Sequence, residues 1–133
     1  MFAKILAAID GKDTSMKALM EAKHIAISNH GTLRIVHVAT EETDPKACLK
    51  LLTQAKSTIG DGVTLDTRVL YTEAMYGVTG IVDALANGAR EWGADLVVLG
   101  SSHRQALERW VIGSVAEQLL SKIDASVLVV RSQ

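Results

Sequence analysis

At 133 residues the chain is about one domain's worth, and its 48% hydrophobic and 22% charged residues exclude wholesale disorder. Fourteen Lys and Arg against fifteen Asp and Glu exclude a strongly basic nucleic-acid binder. No apolar run approaches the ~20 residues of a bilayer span. The one cysteine, Cys48, excludes an intramolecular disulfide framework and suits a reducing compartment. The opening Met1-Phe2-Ala3-Lys4-Ile5 lacks the charged and long apolar regions of a secretory leader, so the expected location is the cytoplasm.

In chain order, five apolar runs alternate with four stretches of helical periodicity. The first run, Ile5–Ile9, has no polar interruption, as expected of a parallel strand covered on both faces. A helical stripe of Ala18, Leu19, Ala22, Ile25 and Ala26 follows, and Gly31 is expected to end that helix in the left-handed conformation. Leu33–Val38 is the second strand. Pro45 stands at the start of the next helix, whose stripe is Cys48, Leu51, Leu52, Ala55 and Ile59. Val63–Tyr71 interleaves apolar with polar residues, the mark of a strand near the sheet edge. Val78, Ile81, Val82, Leu85 and Ala89 form the third helix, which Gly93 ends. Leu96–Leu99 is a second uninterrupted strand. The last helix carries Ile112, Val115, Ala116, Leu119, Leu120 and Ile123, and the last strand is Val127–Val130. This alternation predicts a single α/β domain over residues 1–133 with a mainly parallel sheet, whose ligands bind beyond the carboxyl ends of the strands.

The widest loop, Gly100 to about Val111, follows a central strand, and Gly113-Ser114 opens the next helix. Glycines at both ends let backbone approach a ligand, while helix-start amides and the Ser114 hydroxyl favour a phosphate. Spacing alone leaves a second reading open, in which Gly100 turns the chain and Ser114 caps a helix. Asp10-Gly11 ends the first strand and lies beside Gly100 if the first and fourth strands are neighbours. Its carboxylate can accept hydrogen bonds from ribose hydroxyls or an adenine amine. Alternatively Asp10 organises the turn into the first helix, with Asp13 or Thr14 as the N-cap.

The chain resembles the universal stress protein family over nearly its whole length. The resemblance is carried by Ile5–Gly11, His37-Val38, Gly93–Gly100, Gly113–Glu117 and Ser126–Val130. It implies a three-layer α/β/α domain with a five-stranded parallel sheet in the order 3-2-1-4-5. The family's ATP-binding branch carries G-x2-G-x9-G-[ST]. Here Gly100 and Gly113-Ser114 keep that spacing, and His103 stands at the middle glycine. By resemblance Ala8, Asp10, Val38 and Leu99 surround adenosine. Gly100, Gly113, Ser114 and Val115 hold ribose and phosphates, and His103 and Arg104 lie on the phosphate side. The implied ligand is ATP or AMP, with Mg²⁺ accompanying the nucleotide rather than sitting in a protein cage.

Among the other polar residues, Lys12 and Arg109 read as solvated charges or phosphate contacts, and His24, His30 and His37 have no metal-ligand spacing. Cys48 lies on an apolar stripe and reads as a buried small hydrophobe. Trp92 and Trp110 read as packing or interface residues. No Lys-Ser/Thr phosphate loop is present, nor the acidic pair of a receiver domain, nor G-x-G-x-x-G after the first strand. Three readings remain: a regulatory module that binds an adenine nucleotide, a nucleotide-free dimeric adaptor, and a slow ATP hydrolase or phosphotransferase. For the third, His103 is the one candidate acid or base near the phosphates. The chargeless Val127–Val130, at a sheet edge in the family's order, predicts a homodimer.

Overall fold

The computed structural model describes residues 1–11, 13–101 and 114–131. Its strands are β1 (Lys4–Ala8), β2 (Thr32–Ala39), β3 (Thr64–Tyr71), β4 (Leu96–Ser101) and β5 (Ser126–Arg131). Between them run α1 (Asp13–Asn29), α2 (Pro45–Ile59), α3 (Gly77–Trp92) and α4 (Ser114–Leu120), with a 3₁₀ turn at Ala74–Tyr76. The sheet order is β3-β2-β1-β4-β5 and every neighbouring pair is parallel. Both uninterrupted runs therefore take inner positions, and the interleaved run, β3, lies at an edge with no fully buried residue.

Alternation along the strands divides the core in two. Ile5, Ala7, Leu33, Ile35, Leu96 and Val98 meet α1 and α2 through Leu19, Ala22, Ala26, Leu52, Ala55 and Ile59. Leu6, Val36, Val97 and Leu99 face the other way, onto Val82, Leu85, Ala86 and Ala89 of α3 and Ala116 and Leu119 of α4. Two-sided burial is why β1 and β4 tolerate no polar residue between their ends. Val78 and Leu120, assigned to helical stripes from the sequence, are exposed. Ile123 lies beyond the end of α4 yet packs on the second core. Ile112 lies outside the described residues.

The helix ends show where local chemistry was read correctly and where it was not. Asp44 caps α2 by accepting from the Lys46 N–H (3.1 Å), with Pro45 in the first turn. Gly93 ends α3 at φ 78°, its N–H and that of Ala94 closing on the carbonyls of Arg90 and Ala89. At the end of α1 the left-handed residue is His30 (φ 54°) and not Gly31. Their N–H groups close on Ile27 and Ala26 in the same bonding pattern. Gly31 has a different reason to be glycine: a Cβ there would lie 2.9 Å from the carbonyl oxygens of both Phe2 and Ala3. Trp92 is a packing residue, its ring 4.5 Å from the Arg34 guanidinium. That guanidinium grips Asp66 with two hydrogen bonds of 2.9 and 3.0 Å and holds its carboxyl below the usual range.

Candidate functional site

The crevice opens where the carboxyl ends of β2, β1 and β4 diverge from the starts of α1 and α4. It encloses about 320 Å³, within the range of small-molecule sites. Ala8, Ile9 and Asp10 come from the end of β1, His37 and Val38 from β2, and Leu99 and Gly100 from β4. Thr14 and Ser15 enter from α1, Ile81 and Leu85 from α3, and Ser114, Val115 and Ala116 from α4.

Seven of the residues expected from the sequence thus meet at one cavity: Ala8, Asp10, Val38, Leu99, Gly100, Ser114 and Val115. Asp10 and Gly100 converge because β1 and β4 are direct neighbours, paired from Ile5 with Leu96 to Ala7 with Val98. His103, Arg104 and Gly113 lie outside the described residues, as do Lys12, Arg109, Trp110 and all of the loop from 102 to 113.

Gly100 is glycine for a reason independent of any ligand. A Cβ on it would lie 2.7 Å from the Thr14 carbonyl oxygen and 3.0 Å from the Ser15 nitrogen. The end of β4 and the first turn of α1 touch backbone to backbone, so Gly100 sets how far α1 reaches over the sheet. The same approach carries Thr14 and Ser15 into the crevice. Neither Asp13 nor Thr14 is the N-cap, because α1 already includes both. Ser15 acts instead on the preceding loop, its Oγ accepting the Asp10 N–H at 3.2 Å.

His37 and Val38 lie within β2, near its carboxyl end. His37 Nδ1 is 2.7 Å from the Ile9 carbonyl oxygen. A carbonyl oxygen can only accept, so Nδ1 carries a proton and donates it. Together with the Ile9 N–H bonded to the Val36 carbonyl at 2.9 Å, this ties the residue before Asp10 firmly to β2. On the apolar side, Val38, Ile81, Leu85 and Leu99 wall the crevice, while Asp10, Thr14, Ser15, Gly100 and Ser114 supply polar groups. Sequence reasoning did not assign Ile9, Thr14, Ser15, His37, Ile81, Leu85 or Ala116 to the site. The i,i+4 pair Ile81 and Leu85 was legible as a stripe, but periodicity does not reveal that its end overhangs a cavity.

With this arrangement in view, the comparisons with known proteins settle the lineage. A model of the universal stress protein family matches residues 1–131. The chain belongs to that family. It is 29% identical over 154 aligned positions to the universal stress protein YxiE of Bacillus subtilis, covering 98% of this chain and all of that one. A universal stress protein crystallised in complex with cAMP superimposes with a TM-score of 0.74 at 22% identity, covering 99% of each chain. The universal stress protein from Archaeoglobus fulgidus in complex with dAMP gives 0.71 at 22% identity, covering 98% of each. At these identities the two crystal structures attest the shared fold.

Among the described residues no group of three or more His, Cys, Asp or Glu could hold a metal ion, and no helix is long and apolar enough to cross a membrane. Cys48 is buried on α2, and burial pushes its thiol up from the usual value.

Proposed function

We propose that this protein is a regulatory module that binds an adenine nucleotide, ATP or AMP, in the crevice and passes its occupancy to a partner surface. The observation that carries this reading is the convergence of the Asp10 carboxylate, the Gly100 backbone and the Ser114 hydroxyl on one cavity with an apolar wall. The base packs on Val38 and Leu99, the ribose hydroxyls donate to Asp10, and the phosphates run toward Gly100 and Ser114. The sheet order supports that polarity: β1 separates β2 from β4, so at ~4.8 Å per strand Val38 and Gly100 stand about 10 Å apart. Family members crystallised with cAMP and with dAMP support the choice of an adenine nucleotide. Magnesium would arrive on the phosphates of ATP.

Catalysis is not part of this reading. Asp10 lies at the ribose, the crevice residues described include no second carboxylate, and the imidazole among them, His37, is held by the Ile9 carbonyl through Nδ1. The relay surface is β5, whose Val127–Val130 run is without charge at an open edge of the sheet, and a second copy pairs there to form a homodimer.

Calorimetric titration with AMP, and with ATP and Mg²⁺, tests the ligand: saturable heat is expected, and Asp10→Asn is expected to weaken it. Silence at millimolar nucleotide overturns the reading and selects the nucleotide-free dimeric adaptor, which His103 at a motif glycine favours. Light scattering at tens of micromolar is expected to give the dimer mass.

A further inference from the structure

Thr14 is a buried polar residue of the crevice whose hydroxyl no described residue engages. It lies in the first turn of the 17-residue α1, is 9% exposed and lines the cavity. Its hydroxyl has no hydrogen-bond partner among the described residues. Inside a helix a threonine hydroxyl commonly bonds back to the carbonyl four residues earlier. At Thr14 that carbonyl belongs to Asp10, ahead of the helix, and no such bond forms. A buried hydroxyl without a partner is unfavourable, and native structures supply the partner from water or ligand where protein does not.

Position identifies the chemistry of that partner. Thr14 backbone abuts Gly100 at the end of β4, the side of the crevice opposite Val38. The first amides of α1 are also without partners inside the helix, and they stand at its positive end. A hydroxyl donor beside such amides suits an anionic oxygen. The Asp10 carboxylate, an acceptor, serves hydroxyls.

We infer that Thr14, with the opening amides of α1, is a ligand contact that holds the phosphate attached to the ribose of a bound adenine nucleotide. This rests on the nucleotide reading of the crevice and adds to it a second wall of phosphate contacts, on α1. The hydroxyl distinguishes a nucleotide from its nucleoside, because adenosine fills the same pocket without presenting an anion to Thr14.

The test compares AMP with adenosine by calorimetric titration on the full chain, its Thr14→Val and Thr14→Ser variants, with thermal unfolding of each free of ligand. Valine keeps the shape and removes the hydroxyl. Thr14→Val is expected to bind AMP at least about tenfold more weakly and adenosine as tightly as the parent chain. It is expected to melt no lower than the parent without ligand, while Thr14→Ser restores AMP binding. If the parent binds AMP and Thr14→Val binds it equally well, this inference falls and the nucleotide reading stands. An equal loss for adenosine and AMP, or a lower melting temperature of the free Thr14→Val protein, overturns it by assigning the hydroxyl to the fold. If the parent binds neither compound, both readings fall together. Should Thr14→Val fail to fold, Thr14→Ala carries the same AMP-to-adenosine comparison.

Discussion

The two ends of the sheet use polar residues in opposite ways. At the amino end Asp95 accepts from the Ala3 and Lys4 N–H groups at 2.9 and 3.1 Å, and its own N–H returns to the Lys4 carbonyl at 2.9 Å. Asn29 accepts from the Phe2 N–H at 3.2 Å, and Lys4 Nζ donates to the Trp92 carbonyl at 3.0 Å. These groups are turned toward one another and hold the strand starts in register. At the carboxyl end the corresponding residues border about 320 Å³ of open space, and the Thr14 hydroxyl has no hydrogen-bond partner among the described residues. An end built for stability consumes its donors and acceptors within the chain. An end built for binding holds some of them in reserve, and the stability lost there is recovered when ligand arrives.

Glycine offers the sharpest way to break the comparison, because each end has one wedged against backbone. Gly31→Ala would place a Cβ 2.9 Å from the Phe2 and Ala3 oxygens, and Gly100→Ala one 2.7 Å from the Thr14 oxygen. Each is expected to lower stability by about 1–3 kcal/mol in urea denaturation, but Gly100→Ala alone should also abolish nucleotide binding. Equal binding losses in both would mean that the two ends are not functionally distinct.

Carboxylates give the next contrast. Asp10→Asn is expected to weaken AMP binding about tenfold or more with little change in melting temperature. Asp95→Ala is expected to lose about 1 kcal/mol of stability and leave affinity intact. Calorimetry and thermal unfolding on both variants decide it.

A smaller effect should appear with pH at the Arg34–Asp66 pair, which belongs to neither end. The folded-state pKa of Asp66 is lowered, chiefly by its hydrogen bond from Arg34. Its contribution is therefore present above the unfolded value near ~3.9 and is lost as pH falls through the lower folded value. The gap in melting temperature between the parent and Asp66→Asn should be constant above about pH 5 and close as the solution is acidified below ~4. A gap unchanged down to pH 2 would show that the pair adds no charge-dependent stability. Smallest of all, Cys48, buried and with its thiol pushed up, should react with a thiol reagent only at the rate of local unfolding. Fast labelling of the native protein would place α2 off the sheet.

Much of the scaffold was legible because its signals are local. Uninterrupted runs at Ile5–Ile9 and Leu96–Leu99 marked the two-sided strands, and Pro45 and Gly93 marked helix ends through chemistry confined to a few residues, whereas the Asp44 cap was found only in the structure. His30 and Gly31 show the limit. Local rules favour glycine for the left-handed position, yet the contact with Phe2 and Ala3, at the far end of the first strand's chain segment, claims Gly31 for another purpose. The site divides the same way: Asp10, Gly100 and Ser114 were legible from their places at element ends, whereas Thr14 read as a helix cap and His37 carried no sign that it borders the crevice.

The sequence by itself determined the alternation of strands and helices and most of the helical faces, since hydrophobic period and terminal punctuation are properties of neighbouring residues, while the layers and the lineage came from its resemblance to a known family. Only the tertiary structure decided that α1 begins close enough to β4 to bring Thr14 into the crevice, that His37 bonds to Ile9, and that Ile81 and Leu85 complete the apolar wall. Those facts depend on distances between elements, which backbone contacts set and periodicity along one chain does not encode.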